Sequence, residues 1–126
     1  MEHADQVKLL ITGLGAGPGS AVGPVRIIAD LDQFPRFRPG DVLVCRTTSP
    51  AWTPLLFNAA AVITEVGSRL AHAAIVAREA GIPAVVGAAG AMTVLRDDQR
   101  VRVDGDTGRV EAVPQLINSD PGDVAR

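Results

Sequence analysis

Residues 62–87 read VITEVGSRLAHAAIVAREAGIPAVVG and predict a strand, a turn, a helix and a second strand. The apolar run that ends at Ile63 is typical of a buried strand, and Gly67 turns the chain after it. An amphipathic helix then begins at His72 and stops at Gly81, because glycine favours the left-handed backbone that ends helices. A strand, a helix and a strand in this order predict a parallel crossover unit.

His72 occupies the first turn of this helix, where backbone N–H groups lack partners within the helix. The same place is the positive end of the helix dipole, so it attracts phosphate groups. Spacing alone is equally compatible with a capping or solvated histidine and with a reactive one, since histidine is a common acid, base and nucleophile. His72 lies off the stripe of small residues that predicts close packing on a sheet. That stripe consists of Ala73, Val76, Ala77 and Ala80.

The segment from Glu65 to Gly87 resembles the active-site signature of the phosphoenolpyruvate-utilising enzymes. That family includes pyruvate phosphate dikinase, phosphoenolpyruvate synthase, enzyme I of the sugar phosphotransferase system and the rifampicin phosphotransferases. Its phosphohistidine sits on a swivelling domain and carries a phosphoryl group between two distant sites, and the resemblance implies that His72 is this residue. The segment from Thr48 to Trp52 resembles the Thr-x-Pro-x-Trp element of the synthase and rifampicin phosphotransferase branches.

Two positions near the histidine depart from the family pattern, and a third differs from the dikinases alone. Ser68 stands where the family usually has a second glycine, and Ala71 replaces the Ser, Thr or Cys before the histidine. A hydroxyl at that position would cap the helix, so with Ala71 the free N–H groups must be met by Ser68, water or the phosphoryl group. Leu70 stands where the resemblance to the dikinases implies a controlling threonine, so we expect that control to be absent.

Composition bounds the class of protein. A length of 126 residues predicts one domain, and a hydrophobic content of 47% is ample for a core. The balance of 12 basic and 14 acidic residues gives no basic field for nucleic acid. No apolar run reaches the length of a membrane span and the N-terminus is polar, so we expect no membrane partner and a cytoplasmic location. Cys45, the single cysteine, predicts a small buried hydrophobe.

A glycine-rich stretch, 13–20, lies between predicted strands at 7–11 and 21–28 and invites comparison with a dinucleotide-binding loop. That fingerprint must open a helix. Here Pro18 interrupts the spacing and a β-branched strand follows, so we interpret the stretch as a structural hairpin or bend.

Residues 41–45 predict a nearly apolar third strand, covered on both faces, and a loop with a cation and hydroxyls follows it. Ligands gather at the carboxyl ends of strands. Arg46 and Thr48 should therefore lie near His72 if strands 41–45 and 59–63 are neighbours, as the crossover rule favours. The same segment is also compatible with an ordinary helix start, with Ser49 as cap and Pro50 at the first position, and the two interpretations do not exclude each other. The resemblance implies that Trp52 covers the site and that Thr48 bonds the phosphoryl group.

The remaining segments predict structural roles. Residues 30–40 form a surface loop whose Phe34 and Phe37 fold back over the core, and a short helix ends near Asn58. A buried strand at 83–86 precedes a short helix or turn at 88–95. Residues 100–104 and 109–113 alternate in period two around a glycine-containing turn, which predicts a hairpin. Its Asp104 and Asp106 are typical of turn chemistry rather than of a metal site.

The predicted fold class is α/β, a three-layer β/β/α swivelling phosphohistidine domain. Its central sheet is mostly parallel, from strands near 41, 59 and 84, with helices packed on one face. The early and late hairpins form an antiparallel second layer. Residues 1–126 constitute one such domain, with a compact core at 7–113 and flexible ends at 1–6 and 114–126.

The predicted function is that of a phosphoryl carrier, part of a synthase-like or antibiotic phosphotransferase-like enzyme that does not turn over alone. His72 is the nucleophile, Gly67, Ser68, Arg46 and Thr48 hold the phosphoryl group, and no metal site is expected. The domain binds no cofactor, and ATP and Mg²⁺ belong to an ATP-binding partner domain that works with an acceptor-binding domain, in cis or in trans. Two alternatives stay open: a non-catalytic binding or regulatory module that keeps the fold, and a small self-contained enzyme.

Overall fold

The computed structural model describes residues 8–114. A 3₁₀ helix covers Leu31–Arg36 and a 3₁₀ turn covers Pro50–Trp52. The strands and α-helices, in chain order, are β1 Leu9–Thr12, β2 Leu14–Gly17, β3 Ser20–Ile27, β4 Val42–Cys45, α1 Thr53–Asn58, β5 Ala61–Thr64, α2 His72–Ala80, β6 Ala84–Val86, α3 Ala91–Val94, β7 Arg100–Asp104 and β8 Arg109–Ala112.

One eight-stranded sheet runs in the order β1-β8-β7-β3-β4-β5-β6-β2. Strands β3 to β6 are parallel to one another, whereas the pairings on either side of them are antiparallel. Residues 20–24 of β3 pair with β7 and residues 25–27 pair with β4, so this strand passes from one layer into the other. The predicted β/β/α fold class is confirmed, and its two sheet layers are joined through β3.

The parallel strands are buried on both faces. Leu43 and Cys45 belong to a core shared with α1 and α2, whereas Val42 and Val44 face the antiparallel strands in a second core. This alternation follows from the period of two along a strand. The structure differs from the prediction at α3, because Ala91 packs in the second core and not with the other helices.

The glycine-rich stretch forms an edge strand. β2 pairs antiparallel with β6 instead of turning back on its neighbour in sequence. A Cβ atom on Gly15 would overlap the carbonyl oxygen of Gly105, and one on Gly105 would overlap that of Gly17. Gly108 approaches Gly13 in the same way. These close backbone approaches explain why the stretch is rich in glycine.

Several smaller predictions can be compared with the structure. Phe34 and Phe37 pack against the helix-side core, and the ring of Phe34 meets Trp52 edge-on at 5.0 Å. Burial, with a smaller contribution from the charge of Glu65, raises the pKa of Cys45 to about 12, so the thiol behaves as a small buried hydrophobe. Within residues 8–114, no helix has the length and apolar character needed to cross a membrane. The ends predicted to be flexible lie outside the described residues, except for Pro114.

Candidate functional site

The loops that follow β4 and β5 begin at the same end of the parallel sheet, where the carboxyl ends of the strands lie. β4 and β5 are parallel neighbours, with Cys45 paired to Thr64 at their carboxyl ends. The N–H groups of Glu65 and Val66 both donate to the carbonyl oxygen of Arg46 at 3.1 Å, which joins the loop after β4 to the loop after β5. The predicted neighbourhood of these strands is therefore present, and it brings the two loops together.

His72 is the first residue of α2 and is half-buried. The hydroxyl oxygen of Thr48, on the loop after β4, lies 3.4 Å from its Nδ1 atom. A polar contact on Nδ1 restrains the ring and leaves Nε2 as the nitrogen that Thr48 does not contact. The structure thus joins two of the residues that the sequence singled out.

The N-terminus of α2 has no side-chain cap. Ala71 stands at the N-cap position in extended backbone, and it lacks the hydroxyl that would bond the first turn, an effect of about 1 kcal/mol. The hydroxyl oxygen of Ser68 accepts from the N–H of Leu70 at 3.2 Å, and its carbonyl accepts from the N–H of Ala71 at 2.9 Å. Ser68 therefore orders the loop before the helix, and within residues 8–114 no side chain caps the first turn of α2.

Gly67 has a conformation that other residues rarely adopt, with φ at 130°. A Cβ atom at this position would also lie 3.3 Å from the Cβ atom of Ala71. Glycine is needed here both for the backbone angle and for the close approach to the helix start.

A cleft of about 380 Å³ opens at the carboxyl ends of β3 and β4. Arg46 is exposed beside it, Thr48 links it to His72, and Trp52 forms a wall of it. Trp52 is itself 7% exposed and packs on Phe34, so it belongs to the core as well as to the cleft. The other lining residues are Ala29, Asp30, Leu31, Thr47 and Ser49.

Three residues that the sequence did not single out also organise the site. Arg69 donates from Nε to the carbonyl of Gly15 at 2.9 Å, and Arg78 donates to the carbonyls of Ala16 and Arg69 at 2.7 and 2.9 Å. The Glu65 carboxylate accepts from the N–H of Met92 at 2.9 Å, in the first turn of α3. Sequence carried no signal for the arginine contacts, because their acceptors are backbone carbonyls.

Within residues 8–114, no group of three or more His, Cys, Asp or Glu side chains comes together as a metal site would require. Asp104 instead accepts from the N–H groups of Asp106 and Thr107 at 2.9 and 3.2 Å. The first of these bonds is the largest of the effects that hold the pKa of Asp104 below its ordinary value. These two aspartates belong to the hairpin turn, as the turn interpretation predicts.

Known proteins resemble this chain in sequence. The family model described as PEP-utilising enzyme, mobile domain, matches residues 37–108, more than half of the chain. An uncharacterized phosphotransferase of Bacillus subtilis, YvkC, is 52% identical over 103 residues, which cover 82% of this chain and 12% of the relative. Phosphoenolpyruvate synthase of Escherichia coli is 44% identical over 110 residues, covering 85% of this chain and 14% of the relative. The chain thus spans a small part of the length of each.

Solved structures resemble it in fold. A solution structure of Enzyme I shares 32% identity at a TM-score of 0.54, over 64% of this chain and 33% of the other. Aconitase X of Thermococcus kodakaraensis aligns over 82% of this chain and 98% of its own at a TM-score of 0.58, but its 21% identity shows a shared fold alone. The family match and the identity to the synthase agree with the signature around His72. The chain belongs to the family of PEP-utilising enzyme mobile domains.

Proposed function

We propose that this domain is a phosphoryl carrier in which His72 is transiently phosphorylated. The observation that supports this most strongly is the contact between Thr48 and Nδ1 of His72 at the uncapped N-terminus of α2. It combines an oriented imidazole with free backbone donors, as phosphoryl transfer to a histidine requires.

The proposed step follows from the orientation of the ring. Nδ1 keeps its proton and donates it toward the hydroxyl oxygen of Thr48, so the lone pair of Nε2 is free to attack phosphorus in line with the leaving oxygen. A bond forms between Nε2 and phosphorus, the bond from phosphorus to the donor oxygen breaks, and its electron pair leaves with that oxygen. Transfer to an acceptor reverses these events, with the acceptor's nucleophilic atom attacking phosphorus and the electron pair returning to Nε2.

Four residues would hold the phosphoryl group during transfer. The Ser68 hydroxyl keeps its own proton for donation, since its oxygen already accepts from Leu70. Arg46 supplies an exposed positive charge at the cleft, and Thr48 supplies a hydroxyl beside the ring. Gly67 leaves the space above the helix start free of a side chain. The first-turn N–H groups of α2 complete the set of donors.

The donor and acceptor sites belong to partner domains in this proposal. ATP and Mg²⁺ would be held by an ATP-binding domain and the acceptor by another, in cis or in trans. The small share of each relative that this chain matches is consistent with such an arrangement. The domain would therefore supply the nucleophile and depend on those partners for turnover.

A second candidate is a regulatory or binding module that keeps the fold without transferring phosphoryl groups. The observation that favours it is the missing cap, because Ala71 replaces the hydroxyl that the family pattern places before the histidine. The carrier proposal requires that free N–H groups bind the phosphoryl group in place of that cap, whereas the module does not.

Labelling with ATP that carries ³²P in the β and γ phosphates separates these functions. The chain is incubated with the ATP-binding domain that accompanies it, and acid-labile label on the chain is counted. A carrier becomes labelled once and shows no steady turnover of ATP or phosphoenolpyruvate when it is alone. Absence of label would favour the module, and multiple turnover by the chain alone would show a self-contained enzyme.

A further inference from the structure

Two arginines join the loop before His72 to the edge strand β2. Arg78 lies on α2 and donates from Nη1 to the carbonyl of Ala16 and from Nη2 to the carbonyl of Arg69. Arg69, in the loop, donates from Nε to the carbonyl of Gly15. The guanidinium of Arg78 therefore connects the helix to the loop and to β2, and the bond from Arg69 connects the loop to the adjacent carbonyl of that strand.

The strand that receives these bonds is held firmly in place. β2 pairs with β6, and Ala16 is 5% exposed in the helix-side core. On its other side the backbone of Gly15 lies against Gly105, with no room for a Cβ atom on either residue. A strand fixed by pairing, by core packing and by close backbone contact is a rigid anchor for a loop.

The loop needs such an anchor because its helix start is uncapped. Ala71 offers no side-chain acceptor to the first turn of α2, and the local order of the loop rests on Ser68. The bond from Arg78 to the carbonyl of Arg69 ties the second turn of the helix to the loop that enters its first turn. The direction in which His72 leaves the backbone is thus coupled to β2.

We propose that Arg78, supported by Arg69, is a positioning residue for His72. The planar guanidinium holds the loop, the helix and β2 in one arrangement, and this arrangement keeps Nδ1 of His72 against the hydroxyl of Thr48. Arg78 touches neither the imidazole nor a phosphoryl group in this role, so it acts through the loop. The inference rests on the proposed function for its catalytic consequence, but its structural content can be measured separately.

Three variants of the chain test this role. Arg78→Ala removes both bonds, and Arg78→Lys keeps a cation that cannot reach two carbonyls with the same geometry. Arg36→Ala is the control, because Arg36 also donates from Nη1 to a backbone carbonyl, that of Ile27, and its other bond goes to Asp97. Neither of these bonds reaches β2 or the loop before His72. Circular dichroism gives the melting temperature of each variant, and all measurements are made below that temperature so that every variant is folded.

The first readout is the ratio of the two neutral tautomers of His72, measured by ¹⁵N NMR. We expect one tautomer to dominate in the wild type and in Arg36→Ala, and the ratio to move toward that of free histidine in Arg78→Ala. Arg78→Lys should lie between them. An unchanged ratio in Arg78→Ala, or an equal change in Arg36→Ala, would overturn the positioning role, since a purely structural arginine alters stability and not the tautomer.

The second readout is the initial rate at which potassium phosphoramidate, a chemical phosphoryl donor, labels His72. Arg78→Ala should lower this rate by about threefold to tenfold, the factor expected if the single contact between Thr48 and His72 is lost, and Arg36→Ala should leave it unchanged. A rate in Arg78→Ala equal to that of the wild type would contradict the positioning role. If the accompanying ATP-binding domain fails to label the wild type, the proposed function fails, and the tautomer ratio still decides the role of Arg78.

Discussion

Thr48 and His72 stand 24 residues apart, and the hydroxyl oxygen of the first lies 3.4 Å from Nδ1 of the second. Each residue follows one of two adjacent parallel strands, β4 and β5. The pairing of these strands thus sets which ring nitrogen is engaged and which is available. The orientation of the His72 ring therefore depends on the pairing of β4 with β5 as well as on the position of His72 in α2.

Thr48→Val should slow phosphorylation of His72 by about twofold to tenfold, because valine keeps the shape of threonine but removes one hydrogen bond to the ring. The measurement is the initial rate of label transfer from ATP in the presence of the ATP-binding domain. Thr47→Val serves as the control, since Thr47 lines the same cleft. Equal rates for both variants and the wild type would show that Thr48 does not orient the ring.

The sequence allowed this neighbourhood to be predicted because its signals are local. The apolar run at 41–45 predicts a buried strand, and Gly81 stops α2 with the left-handed backbone, φ 76°, that glycine favours. The crossover rule then makes β4 and β5 neighbours. Each of these steps depends on residue type and spacing alone.

The glycine-rich strand and the arginine contacts could not be predicted in the same way. Glycine weakens strand propensity, so 13–20 indicated a bend, whereas β2 owes its form to pairing with β6 and to the turn at Gly105. Arg69 and Arg78 bond carbonyl groups of that strand. A backbone carbonyl is present in every residue, so residue type does not indicate which carbonyl accepts a bond. The strand that carries these carbonyls, β2, was also not predicted.

Gly105→Ala should destabilise the domain by about 3 kcal/mol or more, because the added Cβ atom would overlap the carbonyl oxygen of Gly17 on a backbone fixed by pairing. Gly40→Ala is the comparison, since Gly40 has φ at 92° with open space around it and should lose only about 1 kcal/mol. Urea unfolding of both variants measures the difference. A loss for Gly105→Ala no larger than that for Gly40→Ala would mean that the hairpin turn yields easily.

Ala77→Leu should cost about 1 to 3 kcal/mol in the free energy of unfolding, because Ala77 is fully buried between α2 and the parallel strands. Ala80→Leu, at a partly exposed position of the same helix, should cost less. Thermal melts of the two variants provide the test. An unchanged melting curve for Ala77→Leu would show that this helix face is loosely packed.

Asp97 should contribute stability that disappears at low pH. Burial alone would raise the pKa of its carboxyl group, but the N–H of Ile27 and the guanidinium of Arg36 outweigh burial and hold that pKa below its ordinary value. The contribution is therefore complete above the unfolded pKa of about 4 and is lost as the pH falls toward the folded pKa. Asp97→Asn should lower the melting temperature at neutral pH and flatten its decline in acid, and Arg36→Ala should act in the same direction. Acid melting curves parallel to that of the wild type would contradict this assignment.

Phosphorylation of His72 is measured most directly by mapping the label. The chain is incubated with Mg²⁺, ATP labelled in the β and γ phosphates and the ATP-binding domain that the proposal assigns to it. It is then digested at neutral pH and analysed by mass spectrometry. We expect acid-labile phosphate on the peptide that contains His72. The His72→Ala variant should carry no label yet melt like the wild type, since a half-buried side chain at a helix start contributes little to either core. Label on His3, or label that persists in His72→Ala, would contradict the assignment of His72 as the phosphoryl carrier.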